Sequence, residues 1–89
     1  MNTQRLEQFR DALLKVLEAN NTRFGLQAAA LALMARQFGF SATEAEAEDQ
    51  LEYLTEKGMA APVAKEMNRA ARAWKITEAG RQYLDEHGL

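Results

Sequence analysis

The stretch Ser41 to Glu56, SATEAEAEDQLEYLTE, carries six acidic side chains and no basic one. Within it Glu44, Glu48, Glu52 and Glu56 recur at every fourth position, which on a helix places four carboxylates in one column. Such a column could ligate a divalent cation, but a tight site needs a His or a second oxygen cluster to complete the coordination shell. Neither is evident, and a solvated acidic stripe accounts for the same residues. Cations gather in the next segment: Lys65, Arg69, Arg72 and Lys75, with Lys57 leading in and Glu66 opposing. Residues of this type could hold phosphates or enter a minor groove, or could simply form a solvated loop. His87 is the one imidazole, and at the close of the final helix it suits a surface or helix-dipole role better than proton transfer. The absence of cysteine excludes disulfides, thiolate metal sites and a Cys nucleophile. No phosphate-binding glycine loop, nucleophile elbow or zinc spacing is present. The sequence therefore predicts no enzyme, no catalytic residue, no cofactor and no metal, and directs attention to binding.

The elements that must position these charges follow from hydrophobic periodicity. Leu6, Phe9, Leu13, Val16 and Leu17 share one side of a first helix, with Arg5, Glu7, Asp11, Lys15 and Glu18 on the other. Asn2 or Thr3 can cap its start, and Asn20-Asn21 can supply a left-handed residue at its end. Thr22 to Gly25 reads as a short strand. Leu26 to Phe38 reads as an alanine-rich second helix with Leu31, Met34, Ala35 and Phe38 toward the core. Leu33 and Leu26 lie off that face, so this helix is either wedged between other elements or presents an oligomer surface.

Ser41-Ala42-Thr43-Glu44 matches the S-x-x-E capping box and opens a third helix that runs to Lys57 and stops at Gly58. Its core face is Thr43, Ala47, Gln50, Leu51 and Leu54, with Phe40 packing from the preceding turn. Its outer face carries Ala42, Ala45, Glu46, Asp49, Glu52, Tyr53 and Glu56, which a partner would meet. Met59, Ala61 and Val63 alternate with less apolar neighbours, and Ala73 to Thr77 alternates again, so two short strands joined by a basic loop are expected. A helical reading of Val63 to Ala73 also fits its alanines, Lys65 and Arg72. Thr77 caps a last helix through Leu84, with Glu78 near its positive end and His87-Gly88 at its close. Gly80 inside that helix costs roughly 1 kcal/mol, which implies close backbone packing.

The chain has 89 residues with 47% hydrophobic content, enough for one modest core and a single domain over residues 1–89. A stability of roughly 5 kcal/mol is expected of such a core. Met1 leads into polar residues rather than a basic and then apolar run, so no export signal is expected and a cytoplasmic location is. The longest apolar run, Ala28 to Ala35, is far short of the roughly 20 residues that span a bilayer.

The expected class is mainly α with a small β-hairpin, in the order helix, strand, helix, helix, strand, strand, helix. This order resembles the winged helix-turn-helix superfamily. Leu51-x-x-Leu54-x-x-x-Gly58-Met59 resembles the L-x-x-L-x-x-x-G-L/I segment where the third helix of that superfamily enters its wing. Trp74-x-Ile76-Thr77-x-x-Gly80-x-x-Tyr83-Leu84 resembles the segment of bacterial winged-helix regulators that leads from the last strand into the last helix. In addition, Arg23-Phe24-Gly25-Leu26, the Gln37-Phe38-Gly39-Phe40 turn and the overall length resemble a family of small phage-encoded proteins of Mu-like prophages. These resemblances imply a DNA-associated regulator or a phage accessory protein.

The acidic third helix conflicts with ordinary major-groove insertion, because each carboxylate held about 4 Å from a phosphate costs roughly 1 kcal/mol even in water-like dielectric. Two binding modes remain. In the first, duplex DNA is held through the wing by Lys65, Arg69, Arg72 and Lys75, while Glu46, Asp49, Glu52, Tyr53 and Glu56 select a partner. In the second, the chain is a protein-interaction module that pairs as a homodimer or meets another protein without DNA, with Leu26 and Leu33 as the dry centre. Neither mode involves a membrane or a small-molecule substrate.

Overall fold

The computed structural model describes residues 2–63 and 72–89. Helix α1 spans Thr3–Ala19, and the Asn2 side chain caps it by accepting from the Arg5 backbone N–H at 2.7 Å. Its other end departs from the expected left-handed stop: Asn20 sits at φ −119°, and among the described residues only glycines have positive φ. The Asn20 side-chain amide instead donates to the Val16 carbonyl at 2.9 Å, beside the Asn20 backbone N–H. The side chain thus gives the Val16 carbonyl a second donor at the helix end. α1 buries Ala12 and Leu14 as well as Phe9, Leu13, Val16 and Leu17, while Leu6 is only half-buried. The buried arc exceeds one stripe because the other three helices and a central strand all pack on α1.

The first strand, β1, is Leu26–Gln27, and the expected strand at Thr22 to Gly25 is a turn closed by the Gly25 N–H on the Thr22 carbonyl. Gly25 has φ +70°, and a Cβ there would press on the Trp74 carbonyl oxygen at 2.7 Å and on Val63 Cγ2 at 2.8 Å. Extended pairing can begin only after it. Helix α2 is therefore shorter than predicted, Ala28–Met34, and passes into a 3-10 turn at Ala35–Phe38 that ends at Gly39, φ +85°. The tighter winding rotates Phe38 away from the core. Phe38 is 42% exposed, against expectation, whereas Leu31 and Ala35 are fully buried.

Helix α3 spans Glu44–Glu56 with a complete capping box, but the box is Thr43 with Glu46 rather than Ser41 with Glu44. Both frames satisfy the S/T-x-x-E pattern. Phe40 is buried against Phe9, ring centroids 5.5 Å apart, and Ser41 and Ala42 carry the chain from that anchor to the helix start. Ala47, Leu51 and Leu54 are buried as expected, Gln50 is half-buried and Thr43 is exposed.

After Gly58 come β2, Ala60–Pro62, and β3, Ala73–Ile76, and the antiparallel sheet has the order β1-β3-β2. Leu26 faces Trp74 across one side of β3, and Ala60, Ala61 and Pro62 face Ile76, Lys75 and Trp74 across the other. Ala60 is the buried residue of β2, while Met59, Ala61 and Val63, the expected inward set, are half-buried. Thr77 caps helix α4, Glu78–Glu86, by accepting from the Gly80 N–H at 3.1 Å. A Cβ on Gly80 would collide with the Met59 carbonyl oxygen, so the interior glycine marks the close packing that its position predicted. Among the described residues the result is an α+β fold of four helices and a three-stranded antiparallel sheet. Among the described residues no helix is long and apolar enough to cross a membrane.

Candidate functional site: the two flanks of the acidic helix

The five α3 residues expected to meet a partner do not share one surface. The Glu46 carboxylate turns back to accept from the Thr43 N–H at 3.0 Å. That backbone bond, followed by the one to the Thr43 side chain, holds its pKa below the usual glutamate value. Tyr53 is half-buried beneath the Arg10 guanidinium, 3.7 Å from the ring centroid, with the Lys57 ammonium at 5.5 Å. Glu52 pairs with Arg72 at 3.1 Å. Asp49 and Glu56 remain as exposed outward acids.

The wing cations also divide. Lys65 and Arg69 lie outside the described residues. On β3, side chains alternate between faces, so Arg72, Trp74 and Ile76 share one side while Ala73 and Lys75 share the other. Trp74 and Ile76 bury the larger side chains on the first side, while small Ala73 is buried on the second beside half-buried Lys75. Arg72 therefore folds toward α3, with its guanidinium 4.7 Å from the Trp74 ring centroid and Nη2 donating to Glu52 Oε1. Lys75 lies half-buried on the opposite face and forms no ion pair among the described residues.

Between the C-terminal half of α3 and the two hairpin strands runs an open groove of about 460 Å³, lined by Glu52, Thr55, Glu56, Pro62, Val63, Arg72 and Trp74. Its floor is largely apolar and its α3 rim is acidic. Arg72 Nε is buried there with no hydrogen-bond partner among the described residues. An unmet buried donor costs about 1–3 kcal/mol, more when charged.

The opposite flank of α3 is cross-linked by side-chain hydrogen bonds. Arg10 Nε donates to Gln50 Oε1 at 2.7 Å, and the Tyr83 hydroxyl donates to Asp11 Oδ1 at 2.7 Å. That second bond, then burial and the nearby Asp11, Glu7 and Tyr53, push the Tyr83 phenol up to about 12. A phenol so raised stays neutral at ordinary pH and is no base. The His87 ring stacks on Tyr83 at 4.1 Å, and its Nδ1 lies 2.8 Å from the Tyr83 carbonyl oxygen. A cavity of about 420 Å³ opens here beside Glu7, Arg10, Asp11, Tyr53, Tyr83 and His87. Of its polar side chains, Asp11 and Tyr83 bond to each other.

Among the described residues no group of three or more His, Asp or Glu side chains is placed to hold a metal ion. The expected oligomer pair is split: Leu26 is half-buried in β1 against the core, whereas Leu33 on α2 is 61% exposed. The sequence did not mark Arg10 as a site residue, and it marked Trp74 and Tyr83 only as residues of the segment that resembles winged-helix regulators. For Trp74 the two-residue alternation of β3 carried a signal; Arg10 meets Gln50 across 40 residues, and no local pattern announces that contact. No protein-family model, curated protein or solved structure matches the chain.

Proposed function

We propose that this chain is a winged-helix interaction domain that presents the outer face of α3 to a basic protein surface. The element order, the short turn between α2 and α3 and the hairpin that follows α3 support the winged-helix reading. The observation that carries the function is the inward fold of Arg72 onto Glu52. The cation that a wing-led DNA contact would use at the hairpin root neutralises an acid of α3 instead, while Asp49 and Glu56 stay outward. A phosphate drawn to Arg72 would approach the acids of α3, at a cost of roughly 1 kcal/mol for each acid about 4 Å away. A basic protein surface meets no such penalty, and complementary charge accelerates its encounter. Exposed Leu33 offers apolar area that charge alone cannot supply.

A second reading keeps duplex DNA as the ligand, held through the hairpin; it is supported by Lys75, which is available on the outer sheet face, and by Lys65 and Arg69 in the connecting sequence. Anisotropy titrations of a labelled lysine-rich peptide and a labelled duplex, each at low and moderate salt, separate the two. The interaction reading predicts salt-sensitive peptide binding that is abolished in an Asp49→Lys, Glu56→Lys double variant, with the duplex unbound. Duplex binding that disappears when Lys65 and Arg69 become Ala, without peptide binding, would replace it with the wing-led reading.

A further inference from the structure

We propose that the basic surface met by the outer face of α3 belongs to a second copy of this chain, and that it is the outer face of α2. This inference rests on the protein-interaction reading above and names the partner. The two faces are complementary in charge. From Ala19 to Thr43 the sequence has no acid, and its only charges are Arg23 and Arg36. Ala29, Leu33 and Arg36 are exposed and follow one another at i, i+4 and i+7, so they form one stripe along α2 and the 3-10 turn that continues it. On α3 the exposed Ala45, Asp49 and Glu56 stand at i, i+4 and i+11, again on one stripe. Among the described residues none of Arg23, Arg36, Asp49 and Glu56 forms an ion pair. Each face therefore keeps charge of one sign for a partner of the other sign.

The two stripes also agree in spacing. Leu33, 61% exposed, is the one large apolar side chain of the α2 stripe, and Ala45 is the small residue of the α3 stripe that leaves room for it. Leu33 to Arg36 is one 3-10 turn and Ala45 to Asp49 is about one α-helical turn, roughly 6 Å in each case. Seating Leu33 on Ala45 therefore brings Arg36 to Asp49, an apolar contact with a charged pair at its rim. Because α2 and α3 pack directly against each other, a two-fold axis along their seam makes the contact twice, with α2 of each copy on α3 of the other, and the assembly closes as a dimer. Duplex DNA suits the α2 face less well: two arginines give it few phosphate contacts, and Leu33 stays uncovered.

Sedimentation equilibrium of the full chain at low and high salt tests this, with two charge-reversal variants. Arg23→Glu with Arg36→Glu inverts the basic face, and Asp49→Lys with Glu56→Lys inverts the acidic one. All four positions are exposed, so both variants should melt as the wild type does. The expected result is a wild-type dimer that weakens about tenfold at high salt, with each variant monomeric alone. Mixing the two variants should restore the dimer, because each inverted face then meets its opposite. Leu33→Ser should weaken the wild-type dimer by about tenfold at either salt. If a charge variant melts early, Leu33→Ser and the salt dependence decide: loss of the dimer in both supports the pairing, and a dimer indifferent to both overturns it. A dimer that persists in Arg23→Glu, Arg36→Glu, or variants that stay monomeric when mixed, would also overturn it. A wild-type chain that remains monomeric at millimolar concentration and low salt, yet binds the lysine-rich peptide, would overturn the second copy and leave the α3 reading standing. A monomer that binds no peptide would overturn both.

Discussion

The two flanks of α3 are built from the same parts. On one, Arg10 lies over Tyr53 and donates to Gln50; on the other, Arg72 lies over Trp74 and donates to Glu52. On the Gln50 flank the Arg10 Nε is used, and Tyr83 and Asp11 add a further bond between α4 and α1. On the Glu52 flank the Arg72 Nε has no partner among the described residues, and the wall is β2, an edge strand whose Pro62 has no backbone N–H to donate. The difference lies less in residue type than in bonding capacity left over. A surface with an outward acid such as Glu56 is suited to recognition, whereas one cross-linked by Arg10–Gln50 and Tyr83–Asp11 holds the fold together.

The comparison can be tested by stability first. Trp74→Ala removes a fully buried ring from the core and the platform under Arg72, and should lower stability by about 3–5 kcal/mol, most of the roughly 5 kcal/mol expected of so small a domain. Tyr53→Ala, at a half-buried position, should cost clearly less in the same denaturant melts; equal losses would erase the distinction between core platform and surface platform. Thr43→Ala should cost about 1 kcal/mol by removing the α3 cap, with Ser41→Ala near neutral, and the reverse order would return the cap to Ser41.

The cross-linked flank also predicts a pH effect. The phenol of Tyr83 is raised from an ordinary value near 10 to about 12, so the folded state favours its neutral form. Its contribution is fully present below about pH 10 and is lost as pH rises toward 12. Melts of wild type and Tyr83→Phe across that window should converge at the alkaline end, with a difference near neutrality of about 1 kcal/mol. A constant difference would mean that the Asp11 bond contributes nothing. Glu52→Gln should have the smallest effect, a few tenths of a kcal/mol, because the pair with Arg72 is partly exposed to solvent.

Much of the fold was legible because apolar spacing and capping chemistry act locally. The α1 stripe, the Asn2 and Thr77 caps and the packed Gly80 follow from rules that need no distant residue. The departures occur where a remote contact decides. Two overlapping frames, Ser41-x-x-Glu44 and Thr43-x-x-Glu46, fit the same capping rule, and the observed start lies beyond buried Phe40. β1 has only two residues, too few for any periodicity, and it borrows Leu26 and Gln27 from the helix that alanine content favoured. At the site, composition marked the acids and cations without showing which way each turns. The inward direction of Arg72 follows from its parity with buried Trp74, a cue present in the sequence, whereas Arg10 reaching Gln50 depends wholly on how α1 crosses α3.

The central claim is that the two flanks of α3 differ in availability, and amide chemical-shift mapping of the labelled chain with the lysine-rich peptide measures it most directly. The account predicts that Thr55, Glu56, Val63 and Arg72 shift as peptide is added, while Arg10, Asp11, Tyr83 and His87 on the cross-linked flank hold their positions. Shifts centred on the cross-linked flank, or shifts at Lys75 and the hairpin with duplex DNA and none with peptide, would contradict it.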